Sequence, residues 1–231
     1  MKFFWYSSPQ TFYPLAGHIA RACWVIAALL TLAGLYIGLL VAPTDAQQGE
    51  AYRIIFIHVA AAWMSMFLYV VMAFWAAIGL AFNTRLSSMM ATAIAPTGAL
   101  FTFIALWTGS LWGRPTWGTY WVWDARLTSE LILLFLYLGF MALQASIDDP
   151  RRADRAGALL AIVGVVNVPI IYYSVQWWNT LHQGASVSLR SSPKMAATML
   201  TGMLVMVFAF WAYAIAAAMM RVRSIIRERE A

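Results

Sequence analysis

Charged residues are scarce in this sequence of 231 residues. Only 10% of the residues are charged, whereas 63% are apolar or aromatic. A soluble domain usually carries about 25% charged residues, so this chain has too few charges to cover a surface that faces water. The composition therefore excludes an ordinary soluble domain and predicts a polytopic membrane protein.

Cysteine and the common catalytic signatures are also nearly absent. The single cysteine, Cys23, excludes an intramolecular disulfide, a cysteine-rich zinc site and a CxxCH haem attachment within this chain. It lies at the start of an apolar run, so we expect a buried, inert thiol. The chain has no GxxxxGK[ST] loop and no HExxH, GxSxG or CxxC signature. We therefore expect no enzyme activity, and any ATP hydrolysis would have to come from a partner.

Six runs are long and apolar enough to cross a bilayer as helices, which takes about 20 residues each. They cover residues 22–42, 54–82, 86–112, 127–147, 156–178 and 195–220. Asn167 and Pro169 interrupt the fifth run and predict a kink or a hydrogen bond to a neighbouring helix. The predicted fold class is all-α, with one integral membrane domain over residues 1–231.

The positions of Lys and Arg predict the orientation in the membrane. The N-terminal stretch, the second and fourth connectors and the C-terminal tail hold ten of them, and the first, third and fifth connectors hold five. The positive-inside rule then places both termini in the cytoplasm and the odd-numbered connectors on the outer side. Since orientation accounts for the net charge of +6, we expect no nucleic-acid partner.

Tryptophan is concentrated in one segment on the predicted outer side. Five of the twelve tryptophans lie there, namely Trp107, Trp112, Trp117, Trp121 and Trp123. The glycines and the proline between them predict a break in the helix, and therefore a structured outer loop over about residues 112–126. An aromatic belt at the bilayer boundary would also contain tryptophan. Five clustered indoles favour instead a platform for a flat, apolar ligand.

Two of the three histidines lie on the same predicted side. His58 is about one turn into the second span, and His182 follows two tryptophans in the last outer connector. A single imidazole in a membrane is usually a structural hydrogen-bonding residue, but two can hold haem iron from opposite sides. Zinc is less natural, because no further ligand lies at a suitable spacing. His18 is on the predicted cytoplasmic side, where we expect no such role.

Charged residues near this face have two interpretations. Four arginines could neutralise the two propionates of a haem, namely Arg53, Arg114, Arg126 and Arg190. Arg126 and Glu130 are also four residues apart at the start of a helix and could pair with each other. Asp124 directly precedes the fourth span, and capping of that helix is its favoured interpretation.

The segment WGTYWVWDARLTSELILLFLYLGF, which begins at Trp117, resembles the tryptophan-rich WWD motif of haem-handling proteins in cytochrome c maturation. Within that group the chain resembles the CcmC family, haem exporter protein C. The similarity includes YRIIFIHV around His58 and VGVVNVPIIYYSVQWWNTLHQG around His182, and it covers nearly the whole chain. CcmF and the fused synthases have more spans and more histidines, so the size favours CcmC.

The resemblance implies specific roles for these residues. By motif match, His58 and His182 are the expected axial ligands of haem b. The other expected haem-binding residues are Trp112, Trp117, Trp121, Trp123, Asp124 and Arg126. The family is expected to present haem at the outer face of the bacterial inner membrane and to load it onto the chaperone CcmE. The implied partners are the ABC-type subunits CcmA and CcmB and the small membrane protein CcmD, with CcmA hydrolysing ATP.

Three functional hypotheses remain at this point. The first is a haem-binding delivery protein, which agrees with two outer histidines, an aromatic platform and flanking arginines. The alternative is a transporter that moves haem itself across the bilayer, although the spans contain few polar groups beyond Asn167 and Glu130 that could line a path. A b-type haem electron carrier often needs a second haem toward the other face, where only His18 is available.

Overall fold

The computed structural model describes residues 6–182, 184, 187 and 195–230, and in this part of the chain it contains helices and no named strand. The helices are α1 Pro9–Tyr36, α2 Ile55–Phe82, α3 Arg85–Trp117, α4 Ala125–Ser146, α5 Pro150–Gly164, α6 Asn167–Trp177 and α7 Ala197–Glu230. A π-helical turn, Ile37–Val41, extends α1, and a 3-10 turn, Glu50–Ile54, precedes α2. With α5 and α6 counted as one span, the described residues form six helices that could cross a membrane. The predicted all-α fold class is confirmed.

The central pair of helices is α2 and α3. Helix α2 also packs against α5 and α7, and α3 also packs against α4 and α7. Helix α1 lies at one edge with α7 as its main neighbour, and α4, α5 and α6 pack together on the other side. Tyr69, Tyr137 and Phe140 are among the largest fully buried side chains. Gly98 makes room for Tyr137, because a β-carbon at that position would overlap its ring.

The first and last helices are longer than predicted. Helix α1 begins at Pro9 instead of residue 22, because Ser8 caps it by accepting a hydrogen bond from the Thr11 amide. Helix α7 continues to Glu230 instead of ending near residue 220, and its last turn forms ion pairs with other helices. Cys23 is half-buried on α1 and not fully buried as expected.

The predicted break after residue 112 is wrong. Helix α3 continues through Gly109, Gly113 and Pro115 and ends at Trp117. Proline removes only one backbone donor, and spanning helices tolerate this because neighbouring groups satisfy the freed carbonyl. The helix stops at Gly118, which has a φ of 79° and donates its amide hydrogen to the Arg114 carbonyl at 3.1 Å. The connector to α4 is therefore residues 118–124, and Trp112 and Trp117 are helical.

The predicted interruption of the fifth span is confirmed. Helix α5 ends at Gly164, and α6 begins at Asn167. Pro169 has no amide hydrogen to donate to the preceding turn, which favours a break there. The Asn167 side chain donates a hydrogen bond of 2.9 Å to the Ser129 carbonyl on α4. The helix is interrupted at residues 165–166, and the predicted hydrogen bond to a neighbouring helix is present.

The six spans give the bundle two different ends. The histidine end contains the α1–α2, α3–α4 and α6–α7 connectors, and a hydrogen bond joins Trp112 near the end of α3 to Gln48 in the α1–α2 connector. The arginine end contains the start of α1, the α2–α3 and α4–α5 connectors and the last turns of α7. The predicted grouping of alternate connectors at one end is therefore present.

Candidate functional site

His58 and His182 meet at the histidine end. His58 is the fourth residue of α2, and His182 lies in the connector after α6. Their ring centroids are 6.4 Å apart, and the ring planes are inclined by 35°. Two metal–nitrogen bonds of about 2 Å each, with the ring radii added, place two axial imidazoles roughly 6–7 Å apart. The separation therefore suits two imidazoles that bind one metal ion from opposite sides.

Thr108 of α3 fixes the orientation of the His58 ring. Its hydroxyl donates to the Ile104 carbonyl at 2.6 Å and lies 3.0 Å from His58 Nδ1. A hydroxyl has one proton to donate, so the Thr108 oxygen accepts the hydrogen bond from His58 Nδ1–H. The lone pair of the neutral ring is then on Nε2, which is the form that binds a metal.

Two further residues of α3, Gly109 and Trp112, pack against the His58 ring. A β-carbon at Gly109 would lie 3.0 Å from His58 Cε1, so the glycine allows α3 to approach the imidazole closely. The Trp112 ring packs edge-on against His58, with centroids 5.6 Å apart. Trp112 is itself held by a hydrogen bond of 2.7 Å from its indole nitrogen to Gln48 Oε1. Trp112, Gly109 and Thr108 therefore form one surface of α3 that holds His58.

The sequence interpretation missed Thr108, Gly109 and Gln48. Thr108 and Gly109 gave no distinctive signal, because the same Thr-Gly pair also occurs at residues 97–98 and 201–202 within other apolar runs. Gln48 has no distinctive signal either. It lies in the first connector, far from Trp112 in the sequence, and only the folded chain brings the two side chains together.

Four of the five predicted tryptophans divide into two groups, and Trp107, which stacks on Phe103, belongs to neither. Trp112 contacts His58, and the Trp117 centroid is 6.1 Å from that of His182. Trp121 and Trp123 pack edge-on against each other at 5.3 Å in the connector. Among the described residues, neither of them has a ring contact with a histidine. Trp123 is 78% exposed, whereas Trp121 is half-buried.

Asp124 has two oxygens in different situations. Oδ1 accepts a hydrogen bond of 2.8 Å from the Leu127 amide, which confirms that Asp124 caps α4. Oδ2 is buried without a hydrogen-bond partner in the described part of the chain, and the same is true of Trp121 Nε1. A buried polar atom without a partner costs about 1–3 kcal/mol. Two such atoms in one connector leave hydrogen-bonding capacity that water, a ligand or another protein can fill.

The predicted pair of Arg126 with Glu130 is wrong. Arg126 donates a hydrogen bond of 2.7 Å to the Ile171 carbonyl on α6. Glu130 is buried and accepts a hydrogen bond of 2.6 Å from the Ser65 hydroxyl on α2. Each side chain joins α4 to another helix, so no ion pair forms between them. Arg126 uses one nitrogen in this bond, and a guanidinium has five N–H groups.

The other candidate arginines have different surroundings. Arg53 forms an ion pair with Glu50 and donates a hydrogen bond of 2.6 Å to the Gly38 carbonyl. Arg114 donates to the Gly118 carbonyl and lies over the Tyr120 ring, 5.7 Å from its centroid. Arg190 lies outside the described residues, as do Lys2 and Lys194, which entered the charge count.

Comparison with known proteins gives consistent results. The family model "Heme exporter protein C" (CcmC) matches residues 2–231. The chain is 46% identical to heme exporter protein C of Escherichia coli strain K12 over 218 residues, 94% of this chain and 88% of the relative. It is 50% identical to heme exporter protein C of Bradyrhizobium diazoefficiens over 206 residues, 88% of this chain and 77% of the relative. A putative cytochrome c biosynthesis ccmC-like mitochondrial protein of Marchantia polymorpha is 48% identical over 166 residues, 72% of this chain and 68% of the relative.

Proposed function

The chain belongs to the heme exporter protein C family, and we propose that it binds haem b through His58 and His182 and delivers it to the chaperone CcmE. Family membership gives the chain a role in haem handling for cytochrome c maturation, as a transport or delivery component. The observation that carries the finer proposal is the pair of imidazole rings 6.4 Å apart at the histidine end.

The ligand set supports haem over a bare metal ion. Within the described residues, no cluster of three or more His, Cys, Asp or Glu side chains could hold a metal. Two imidazoles are too few for a typical protein metal site, whereas a porphyrin contributes four nitrogens of its own to the iron. The aromatic rings of Trp112 and Trp117 beside the histidines offer apolar surface of the kind that a porphyrin needs.

Each part of the site has a different proposed role. His58 and His182 hold the iron, and Thr108 keeps His58 Nε2 available. Trp112 and Trp117 contact the haem near its axial ligands. Trp121, Trp123 and Asp124, of which Trp123 is exposed, meet the haem edge and the chaperone, where the two unpartnered polar atoms find their bonds. The free N–H groups of Arg126 are available to a propionate.

The site also needs an orientation and partners. We propose that both termini are cytoplasmic and that the histidine end faces the periplasm of a bacterial inner membrane, as the Lys and Arg distribution predicts. CcmA, CcmB and CcmD are the proposed members of the surrounding haem-export complex. A reporter fused after Arg229 should be cytoplasmic, and one inserted at Gly118 should be periplasmic. The reverse pattern would put the histidine end on the wrong side for delivery.

Haem transfer tests the proposed function directly. The purified protein is loaded with haem, reconstituted into vesicles and mixed with apo-CcmE outside, while haem is also measured inside the vesicles. A delivery protein transfers haem to the chaperone and leaves the lumen empty. Haem that accumulates across the bilayer, without transfer to CcmE, would support the alternative of a transporter. Protein with His58→Ala serves as the control for non-specific haem partition.

A further inference from the structure

A cavity of about 390 Å³ lies at the arginine end, in the groove between α1 and α7. It is far from the histidine pair and has no part in the function proposed above. Its lining residues are Tyr13, Pro14, Gly17, His18, Arg21 and Arg223. Three of these side chains carry basic nitrogen, and no acidic side chain from the described residues lines the cavity. Its chemistry therefore suits an anion.

Arg223 is held in a defined position in this cavity. Its guanidinium carbon lies 4.3 Å from the centroid of the Tyr13 ring, within the range of a cation–π contact. On α1, Gly17 leaves room for the same group, since a β-carbon there would lie 3.0 Å from Arg223 Cζ. Arg223 Nε is buried and has no hydrogen-bond partner among the described residues. The cation–π contact and the close approach of Gly17 therefore position the guanidinium in the lining of the cavity.

The neighbouring basic residues add to this charge. Arg21 Nε donates a hydrogen bond of 3.3 Å to the Gly17 carbonyl, which holds the Arg21 side chain at the edge of the cavity. In the described part of the chain, neither Arg21 nor Arg223 forms an ion pair. His18 Nδ1 is 2.9 Å from the Pro14 carbonyl, so it donates its proton there and the ring stays beside the cavity. The positive charge of the cavity is therefore not neutralised from within the described chain.

The apolar surface next to the cavity indicates which anion binds. Within about two turns of Arg21 on α1, Val25 is 60% exposed and Leu29 is 62% exposed. On α7, Met220 is 50% exposed, and its sulfur accepts a hydrogen bond of 2.8 Å from the Trp24 indole nitrogen. A basic cavity at the end of a spanning helix pair, continued by exposed apolar surface, matches a phospholipid with a charged head and apolar chains. We propose that this cavity binds the phosphate group of an anionic phospholipid.

The test compares lipid binding between variants that lose the same charge. The delipidated full-length protein is titrated in detergent with phosphatidylglycerol, with zwitterionic phosphatidylcholine and, separately, with inorganic phosphate, and native mass spectrometry counts the bound molecules. The test variant is Arg21→Gln with Arg223→Gln. The matched control is Arg152→Gln with Arg227→Gln, since both of these arginines are exposed at the same end and do not line the cavity.

We expect the parental protein to retain phosphatidylglycerol in preference to phosphatidylcholine, and the test variant to bind it at least about tenfold more weakly. The control variant should bind it as the parental protein does. Equal loss in both variants, or no loss in the test variant, would overturn the proposal. Binding of inorganic phosphate without lipid binding would overturn the assignment to a lipid. If Arg223→Gln prevents folding, the exposed Arg21→Gln alone against Arg227→Gln alone gives the same comparison.

Discussion

The two ends of the bundle use their polar groups differently. At the arginine end, Arg229 forms two hydrogen bonds with Asp154, of 2.8 and 3.2 Å, and Arg85 pairs with Glu230 at 2.8 Å. These contacts join α7 to α5 and to α3. At the histidine end, the described residues form one ion pair, between Glu50 and Arg53 in a single turn. The contacts there between the candidate site residues are contacts between aromatic rings.

This difference separates residues that hold the fold from residues that we propose to bind a ligand. The charges of the paired arginines are neutralised by other helices, so their contribution is to the stability of the bundle. At the histidine end, Trp121 Nε1 and Asp124 Oδ2 are buried with no hydrogen-bond partner in the described part. Arg223 Nε, in the cavity between α1 and α7, and the Tyr69 hydroxyl in the core are also buried without a hydrogen-bond partner in the described part. An unused bond alone therefore does not mark a ligand site, and both proposed sites rest on their geometry.

The largest effect should follow the loss of an axial ligand. We expect His58→Ala and His182→Ala each to lower bound haem by at least about tenfold and to change the iron absorption spectrum. His18→Ala is the matched control, since it removes an imidazole from the arginine end. Haem content and visible spectra of the purified variants provide the measurement. Unchanged spectra in both of the first two variants would show that neither histidine is a ligand.

The tryptophans should affect haem delivery more than iron coordination. Each stacked indole contributes about 1 kcal/mol, so replacement of Trp117, Trp121 and Trp123 together by alanine should reduce chaperone loading roughly 100-fold. The iron spectrum should remain largely that of the parental protein. A triple alanine variant at Trp107, Trp177 and Trp178, which are exposed and outside the proposed haem-contact set, is the control. Loading at the parental rate would leave the cluster with no role beyond an aromatic belt.

Thr108 should act through His58. Thr108→Val removes the acceptor of the His58 Nδ1–H bond, and we expect about tenfold weaker haem binding with a shifted spectrum. Thr108→Ser keeps the hydroxyl and should restore both properties. Thr116→Val is the control, because that hydroxyl bonds only to carbonyls of its own helix. Equal effects of the two valine variants would indicate a change in α3 and not in the imidazole.

The smallest effect should distinguish two caps that are alike in geometry. Asp124 caps α4 at the histidine end, and Asp149 caps α5 at the arginine end. Each carboxylate accepts a hydrogen bond of 2.8 Å from a backbone amide of its helix. Alanine at either position should lower the free energy of unfolding by about 1 kcal/mol. Only Asp124→Ala should also weaken haem loading, because its second oxygen is the buried one without a partner. Thermal unfolding and haem loading measure the two effects, and equal loading in both variants would contradict a functional role for Asp124.

Much of the fold could be predicted, because apolar length alone determines where helices can span a bilayer. The break before Asn167 and the cap at Asp124 follow from local chemistry and are confirmed. The length of α3 was predicted wrongly, because rules for glycine and proline come largely from helices in water. An unsatisfied backbone hydrogen bond costs more free energy in a bilayer than in water, and α3 stays helical past Pro115.

The candidate site was less accessible from the sequence. The histidines could be assigned to one side of the membrane, but their separation depends on how α2 and the connector after α6 pack. Arg126 and Glu130 show the limit of spacing arguments, since each binds a different helix and not the other. Thr108 and Gly109 gain meaning only when α3 is placed against His58. Positions along one helix are predictable, whereas contacts between helices are not.

The packing of α1 against α7 has a consequence for biosynthesis. Helix α1 is the first of the seven described helices to be synthesised, and its main partner, α7, is the last of them. The roughly 160 residues between Tyr36 and Ala197 take about 8–30 s to synthesise at about 5–20 residues per second. During that interval α1 stays in the bilayer without its partner, which its apolar composition permits. The edge of the bundle therefore closes only after α7 has been synthesised, and a chain truncated before α7 leaves its first helix without its main partner.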